Sequence, residues 1–349
     1  MTVVVAMSGG VDSSVTAGLL VEQGYDVQGV SLRMWEGDVG PRVCSDHRGA
    51  KEIAALLGIP HTLLDLRSQF AETVVKPFAR DYLHGRTPNP CVACNRDFKL
   101  GMLMQWARRQ DADYVATGHY ARIVRNSDSS STLMRGTDRT KDQSYFLFSL
   151  SQEQLAHALF PLGDWRKEDV RMRARQLGLP VAERPESQDI CLGDYHRLVE
   201  SFAEGSATAG GEIVDRSGKV LGAHGGIHRF TVGQRRGLGL AAPHPLYVLE
   251  LAAESRQVIV GTKEELGSRG FVADSVSWIE PPRDEKIVAE VQVRYRSPAI
   301  PCRTYLADGH SAEVYFEDTD VTVTPGQAAV FYAGERVLGG GWIEKAIKK

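Results

Sequence analysis

The chain has 349 residues, of which 42% are hydrophobic and 24% charged, with a formal net charge of −3. That length accommodates two or three domains, and the balance excludes a disordered or fibrous chain. The mild acidity excludes a global pull toward nucleic acid, so RNA would have to be met by local basic patches, and the lack of any membrane-length apolar run or basic-then-apolar leader predicts a cytoplasmic protein with no membrane partner.

Taken in order, the chain begins with an apolar run, Val3-Val4-Val5-Ala6, without alternation, which predicts a strand buried on both faces of a parallel sheet. A helix follows over 14–23, with Val15 and Leu19 one turn apart and Gly24 as its stop. Between them lies Met7-Ser8-Gly9-Gly10-Val11-Asp12-Ser13-Ser14. Two glycines let a ligand approach the backbone, and a helix start offers N–H groups and a positive dipole end, to which Ser13 and Ser14 add hydroxyl donors. The stretch therefore reads as a phosphate site; as bare structure it would be a glycine-rich turn capped by Asp12. No Lys-Ser/Thr follows the glycines and there is no G-x-G-x-x-G, so it is neither of the two commonest phosphate loops. Ser-Gly-Gly-x-Asp-Ser resembles instead the PP-loop of the ATP pyrophosphatase superfamily, which implies cleavage of ATP between its α and β phosphates and transfer of AMP to a substrate oxygen.

Strands are predicted over 27–32, 61–66 and 113–117, and helices over 48–57, 70–82 and 99–109. This alternation predicts a parallel, doubly wound, Rossmann-like α/β sheet, with the Ser8 loop and the turn at Gly118 beyond the carboxyl ends of its strands. Residues 126–132 read as an exposed polar loop, and 145–150 is apolar again. Asp164 is the expected N-cap of a basic helix over 167–176, whose flanking and internal arginines (Arg166, Arg171, Arg173 and Arg175) fit either RNA phosphates or a solvated face. From about residue 210 helical periodicity fades. Short strands follow at 212–214, with a hairpin turn at 216–219, then at 288–296, 304–306, 312–316, 328–332 and 337–343, which predicts a β-rich central part and a C-terminal β-barrel. Alternation places Val291, Val293 and Tyr295 on one face of the 288–296 strand. The predicted domains are 1–200 around the phosphate loop, 201–269 as a small central domain and 270–349 as the barrel. Gln234-Arg235-Arg236-Gly237-Leu238-Gly239 puts two arginines on permissive backbone, which fits either phosphate contact or a charged hairpin turn.

Five cysteines in a chain this long suggest catalysis or metal binding rather than a disulfide framework. In Thr87-Pro88-Asn89-Pro90-Cys91-Val92-Ala93-Cys94-Asn95 the two X-Pro bonds predict a stiff loop, with Cys91 and Cys94 just ahead of a helix that starts near Lys99. A helix N-terminus lowers a nearby thiol pKa, so reactive thiolates are expected there. Cys191 follows Ser187-Gln188-Asp189-Ile190, of which Ser187, Gln188 and Asp189 are polar. Cys302 is expected to be structural, and Cys44 carries no motif that assigns it a role.

Eight motifs stand in order: the loop, Thr-Pro-Asn-Pro-x-x-x-Cys-Asn, Ala-Thr-Gly-His-Tyr (116–120), Lys-Asp-Gln-Ser-Tyr-Phe-Leu (141–147), Ser-Gln-Asp-Ile-Cys (187–191), Thr-Val-Gly-Gln-Arg-Arg-Gly-Leu-Gly (231–239), Arg-Tyr-Arg (294–296) and Pro-Gly-Gln-Ala-Ala-Val-Phe-Tyr (325–332). In this the chain resembles, nearly end to end, the bacterial tRNA 2-thiouridylase family, MnmA. The resemblance implies ATP at Ala6, Met7, Ser8, Gly9, Gly10, Val11, Asp12 and Ser13, with Leu32 and Gly118 nearby and Mg²⁺ on the phosphates. It implies adenylylation of the C2 oxygen of a wobble uridine in tRNA of the Lys, Glu or Gln type. Sulfur would then pass from a Cys191 persulfide, released by the nucleophile Cys94, which would end disulfide-bonded to Cys191. The products would be 2-thiouridine, AMP and pyrophosphate. It further implies tRNA contacts at Asn89, Pro90 and Cys91, at Lys141, Asp142 and Gln143, and at Arg294 and Tyr295, with a cysteine desulfurase or relay protein as sulfur donor.

The chain departs from the family where many members carry Asp and this sequence has Cys91. Cys91, Cys94 and Cys191 therefore also match the three-cysteine iron–sulfur site of other tRNA thiolases, so that a cluster and a persulfide–disulfide relay both stand as sulfur routes. Zinc would lack an obvious fourth ligand. Two other functional classes share the loop. An amide-forming synthetase would release pyrophosphate with a small molecule and without tRNA. A nucleotide sensor would bind ATP without turnover and leave Cys94 and Cys191 without a role.

Overall fold

The computed structural model describes residues 1–349 apart from 36–45, 186–190, 204, 206–207, 308, 318–320 and 349. Cys44 and Ser187 to Ile190 thus lie outside the described residues. The chain divides into two compact units, one of residues 1–74, 90–193 and 334–338, the other of 75–89, 194–333 and 339–349.

In the first unit Val3, Val4 and Val5 are fully buried. A β-branched run without alternation buries on both faces only inside a parallel sheet covered by helices, and each such side chain contributes about 1.5–3 kcal/mol. These valines form the middle of β1 (Thr2–Ala6), which leads into helix α1 (Val11–Glu22). There follow β2 (Asp26–Arg33), helix α2 (His47–Leu56), β3 (His61–Asp65), β4 (Tyr114–Ala116), the hairpin β5 (Ala121–Arg125) and β6 (Ser131–Arg135), and β7 (Ala158–Leu159). The sheet order is β3-β2-β1-β4-β7 and every pair in it is parallel. This is the expected doubly wound sheet. Gly24, at φ +81°, takes the left-handed position just past the end of α1.

Local expectations needed three corrections here. The polar stretch 126–132 is only the tip of a hairpin, because Ser131 and Thr132 already belong to β6, where both are buried. The basic helix spans Lys167–Gln176 as expected, but Asp164 does not cap it. Arg166 is the cap position and makes no side-chain cap bond; the carboxylate of Asp138, distant in sequence, accepts the Lys167 N–H at 3.1 Å. Cys91 and Cys94 do not precede a helix that begins near Lys99. Helical structure starts at Pro90, as Pro90–Ala93, a π-helical stretch Cys94–Met102, and Leu103–Arg108. Proline is well placed at a helix start, since its missing N–H would have no partner there.

In the second unit β8 (Gly211–Asp215), β9 (Val220–His224), β10 (Tyr247–Ala252) and β11 (Gln257–Gly261) form a sheet in the order β10-β11-β8-β9. Ile213, Ile227, Phe230, Leu238, Val248, Val258 and Val260 make its core. The β8–β9 turn is closed by the Asp215 carboxylate, which accepts the Ser217 and Lys219 N–H groups at 2.9 and 3.1 Å. Then come β12 (Gly270–Trp278), β13 (Lys286–Gln292), β14 (Ile300–Leu306), β15 (Ala312–Phe316), β16 (Ala328–Ala333) and β17 (Arg336–Ile347). They pair in the order β12-β15-β14-β13-β16-β17, and β17 returns to β12, so the barrel closes and has no open edge. The strand expected over 288–296 ends at Gln292. Gln292, expected on the polar face, is buried and donates to the Arg294 carbonyl at 3.3 Å, and the chain turns at Arg296 with φ +68°.

Candidate active site

The switch point of the parallel sheet lies between β1 and β4, because the chain winds outward on either side of that pair. Ligands on such sheets sit beyond the carboxyl ends of the strands at this point. The Ser8 loop leaves β1 there and Gly118 follows β4 there. Gly10 is the N-cap of α1, in extended conformation and without a side-chain cap bond, which keeps the first helical turn suited to an anion.

The loop is tied internally. The Ser8 N–H donates to Ser13 Oγ at 3.2 Å, and the Ser13 and Ser14 hydroxyls lie 3.1 and 2.7 Å from the Gly10 carbonyl oxygen, to which they donate. Those hydroxyls, expected as ligand donors, are spent on the turn, because a backbone carbonyl within one turn is their nearest acceptor. Ser31 Oγ donates to the Met7 carbonyl at 2.7 Å and sits 2.9 Å from His61 Nε2, which fixes the loop's entry. The Met7 and Val11 side chains are in the core, which leaves only their main chain available to a ligand, and Leu32 is buried on β2. Gly9 has φ +76°, and a Cβ there would stand 2.6 Å from the Asp46 carbonyl oxygen. Arg184 bridges the two, donating to the Gly9 carbonyl at 3.1 Å and to Asp46 Oδ2 at 2.7 Å. Hydrogen bonds from the Gly49 N–H and from Arg184 hold the Asp46 carboxyl below its ordinary range.

Asp12, in the first turn of α1, is gripped from elsewhere in the unit. Lys167 Nζ lies 2.6 and 2.8 Å from its two oxygens, and the Tyr120 hydroxyl donates to Oδ1 at 2.8 Å. The Lys167 ammonium also stands 5.5 Å from the Tyr120 ring centroid. Sequence reasoning passed over Lys167, Tyr120 and Arg184 as functional residues. A lone carboxylate in a phosphate loop without its own lysine was the available signal that a cation must come from another element.

The same unit holds Cys91, Cys94 and Cys191, each a free thiol. Cys94 is buried, with Sγ 3.8 Å from Met34 Sδ. Burial pushes its thiol up to about 11, with Lys99 opposing and Cys191 adding to the rise. Cys91, half-buried, is pushed up to about 12 by burial and then by Cys191 and Cys94. The three thiols, two of them far from the third in sequence, thus lie close enough to influence one another. The expected low thiol pKa is not found: desolvation outweighs the helix start. Among the described residues no three His, Cys, Asp or Glu side chains are gathered tightly enough to hold a metal ion. Cys302 is buried in the barrel, 3.8 Å from Thr304 Oγ1.

The remaining expected RNA contacts differ in character. Asp142 is turned inward, accepting from Arg135 Nη1 at 3.2 Å, the Gly136 N–H at 3.0 Å and the Ser144 N–H at 3.1 Å. Gln143 accepts the Tyr120 N–H at 3.1 Å, and Lys141 beside them is half-buried. Asn89 and Pro90 are half-buried. In the second unit Arg294 is exposed and Tyr295 half-buried, on the turn after β13; Arg235 and Arg236 are both exposed. The basic helix is largely engaged with its own unit. Arg171 donates to the Ala182 carbonyl at 2.6 Å, Arg173 binds Glu22, and Arg175 Nε lies 2.7 Å from Glu183 Oε1.

The parallel sheet, the Ser-Gly-Gly loop at its switch point and the neighbouring thiols define a nucleotide-binding α/β protein of the pyrophosphatase-loop kind, carrying two further β domains. Family models agree: "tRNA methyl transferase HUP domain" matches residues 1–194, "tRNA methyl transferase PRC-barrel domain" 202–262 and "Aminomethyltransferase beta-barrel domain" 268–343. The tRNA-specific 2-thiouridylase MnmA of Geobacter metallireducens is 50% identical over 358 residues, covering 99% of this chain and 97% of that protein. Its namesake in a Picosynechococcus species is 46% identical over 347 residues, covering 98% of each. A solved 4-thiouridine synthetase–RNA complex with bound ATP is 14% identical over 58% of this chain and 50% of its own, with a TM-score of 0.36, too slight to carry weight. The chain belongs to the tRNA-specific 2-thiouridylase MnmA family.

Proposed function

We propose that this chain is a tRNA 2-thiouridine synthase, a sulfurtransferase that uses ATP. The observation that carries the reading is the neighbourhood of Cys94 and Cys191 in the same unit as the pyrophosphate loop. A methyl transfer, which the name of the family model suggests, has no use for such a loop or for a thiol pair.

ATP binds with its phosphates at Ala6 to Ser13, against the start of α1, and Gly118 and Leu32 shape the nucleotide side. The C2 oxygen of the wobble uridine attacks the α phosphorus, pyrophosphate leaves, and the base carries AMP on that oxygen. Asp12, beside the phosphates, would help to hold Mg²⁺, and the ion would supply charge neutralisation there. A sulfur donor, a desulfurase or relay protein, has loaded Cys191 as a persulfide. Cys94 gives up its proton and attacks the Cys191 sulfur, releasing the terminal sulfur to C2. AMP departs, and Cys94 and Cys191 are left as a disulfide. Asn89, Pro90, Cys91, Lys141, Asp142, Gln143, Arg294 and Tyr295 serve the tRNA, Asp142 and Gln143 by shaping the backbone beside Tyr120. The functional division follows residues 1–200, 201–269 and 270–349. tRNA of the Lys, Glu and Gln type, in the cytoplasm, is the substrate.

The test incubates the protein with unmodified tRNA, ATP, Mg²⁺ and an active sulfur donor. 2-Thiouridine should be found by mass spectrometry, with AMP and pyrophosphate formed in equal amount, and should vanish with Cys94→Ser or Cys191→Ser. Pyrophosphate release driven by a small metabolite without tRNA would favour the amide synthetase instead. Iron and acid-labile sulfide in anaerobically purified protein, lost with Cys91→Ser, would replace the relay by a cluster.

A further inference from the structure

The π-helix is rare and occurs mostly as single-turn bulges, often at functional sites, yet here it runs for nine residues, Cys94–Met102, with Cys94 as its first. It lies between two α-helical pieces, Pro90–Ala93 and Leu103–Arg108, so the ordinary helix is a close competitor and something must hold the wider one. The hold comes from Gln154, in the short helix Gln152–Ala156. Its carboxamide nitrogen donates to the Arg96 carbonyl at 2.7 Å and to the Leu100 carbonyl at 2.9 Å. The amide oxygen is used as well: it accepts the Ser151 N–H at 2.9 Å, while the Gln154 N–H donates to Ser151 Oγ at 3.1 Å. That reciprocal cap fixes the amide plane and leaves both of its N–H donors to the π-helical stretch. Gly101 makes room for the contact, since a Cβ there would stand 2.7 Å from the Arg96 carbonyl oxygen and 3.9 Å from Gln154 Nε2. Gln152 anchors the same short helix to β6, its Oε1 accepting the Ser131 N–H at 2.8 Å and its Nε2 donating to the Ser131 carbonyl at 2.9 Å.

We propose that Gln154 is a positioning residue for sulfur transfer: it locks the π-helical register that sets where Cys94 points. The inference rests on reading Cys94 as the nucleophile of the thiolation reaction. Passing from π-helical to α-helical bonding tightens each turn, so the two ends of the segment would rotate against each other. The far end is fixed, because Leu100, Leu103, Met104 and Ala107 are all buried. The rotation would therefore fall on the near end, at Cys94. A thiol that must meet a neighbouring sulfur tolerates little of it, since a misplacement of about 1 Å can cost on the order of a hundredfold in rate. The Gln154 side chain bonds to Ser151, Arg96 and Leu100, none of which belongs to the phosphate loop, so its effect falls on the sulfur step and not on adenylylation.

Two readouts on the full chain test this with Gln154→Met, which keeps the length of the side chain and removes both donors. Without tRNA, alkylation of Cys94 by iodoacetamide, followed by peptide mass spectrometry, should quicken about tenfold, the scale of one lost hydrogen bond, whereas Gln152→Met, which cuts only the link to Ser131, should stay within about twofold of the parent. With unmodified tRNA, ATP, Mg²⁺ and a sulfur donor, Gln154→Met should lower kcat for 2-thiouridine by about tenfold or more, while the KM for ATP and the first-turnover release of pyrophosphate stay within about twofold. Should Gln154→Met fail to fold, Gly101→Ala sets a methyl against the Arg96 carbonyl, disturbs the same register from the other side and should give the same split. Parental alkylation of Cys94 in the folded Gln154→Met variant, or pyrophosphate release that falls in step with 2-thiouridine, would overturn the proposal and leave Gln154 an ordinary helix cap. A parent that makes no 2-thiouridine, while Gln154→Met still quickens Cys94 alkylation, would instead count against the thiolation reading alone.

Discussion

Gly118 lies against the peptide that joins Asp12 to Ser13: a Cβ at Gly118 would stand 2.9 Å from both the Asp12 carbonyl carbon and the Ser13 nitrogen. The end of β4 is thereby pressed onto the first turn of α1, and the position of the loop depends on the absence of a side chain. Backbone atoms cannot give way as the tip of a flexible side chain can. Gly118→Ala should displace the loop at the usual overpacking cost of about 1–3 kcal/mol, which, if borne by the bound state, corresponds to a roughly 5- to 150-fold weaker ATP affinity. Calorimetric titration with ATP and Mg²⁺ checks this. A variant that binds ATP as the parent does would show that the loop has room to spare.

The thiols should behave as protonated groups at neutral pH. With the Cys94 thiol pushed up to about 11 from an ordinary 9.0 by burial, roughly one molecule in a thousand holds the thiolate at pH 8. Alkylation of Cys94 by iodoacetamide, followed by peptide mass spectrometry, should therefore quicken about tenfold per pH unit between about 7 and 10. Lys99 opposes the rise, so Lys99→Met should slow the reaction further. A plateau near pH 7 would mean that the helix start dominates after all. The same shift bears on stability. The folded chain holds this proton more tightly than the unfolded one, so the contribution is full below pH 9.0 and is lost as pH climbs toward about 11.

What could be read in advance was local. β1 and α1 follow from a valine run and a four-residue spacing, and Gly24 ends the helix where its left-handed backbone is needed. The strands of the barrel follow from short alternating runs. What could not be read depends on partners remote in sequence. The Asp138 cap of the Lys167 helix and the Lys167–Asp12 pair each join residues brought together only by the sheet winding. The thiols misled for a related reason: the X-Pro bonds and the helix start were visible, but the burial that decides the pKa is tertiary. The ring of Arg135, Gly136 and Ser144 around the Asp142 carboxylate is likewise tertiary.

Arg235 and Arg236 are exposed on a turn where Gly237 and Gly239 take φ +77° and +66°, so their guanidiniums can meet a phosphate backbone without first leaving a partner among the described residues. The Gln234 amide donates to the Arg236 carbonyl at 3.0 Å and accepts the Thr231 N–H at 3.0 Å, which holds the turn in shape. Arg173, by contrast, is engaged with Glu22 and Gln176. Each phosphate contact releases counterions and steepens the salt dependence of binding. Removing both exposed arginines, with Arg235→Ala and Arg236→Ala, should weaken tRNA binding and flatten the slope of log affinity against log salt by about one for each. Arg173→Ala should leave that slope alone and cost stability by at most about 1 kcal/mol, because its ion pair is partly solvated. Filter binding across a salt series separates the two. A slope that changes with Arg173→Ala and not with the Arg235, Arg236 pair would move the RNA surface from the glycine-rich turn to the basic helix.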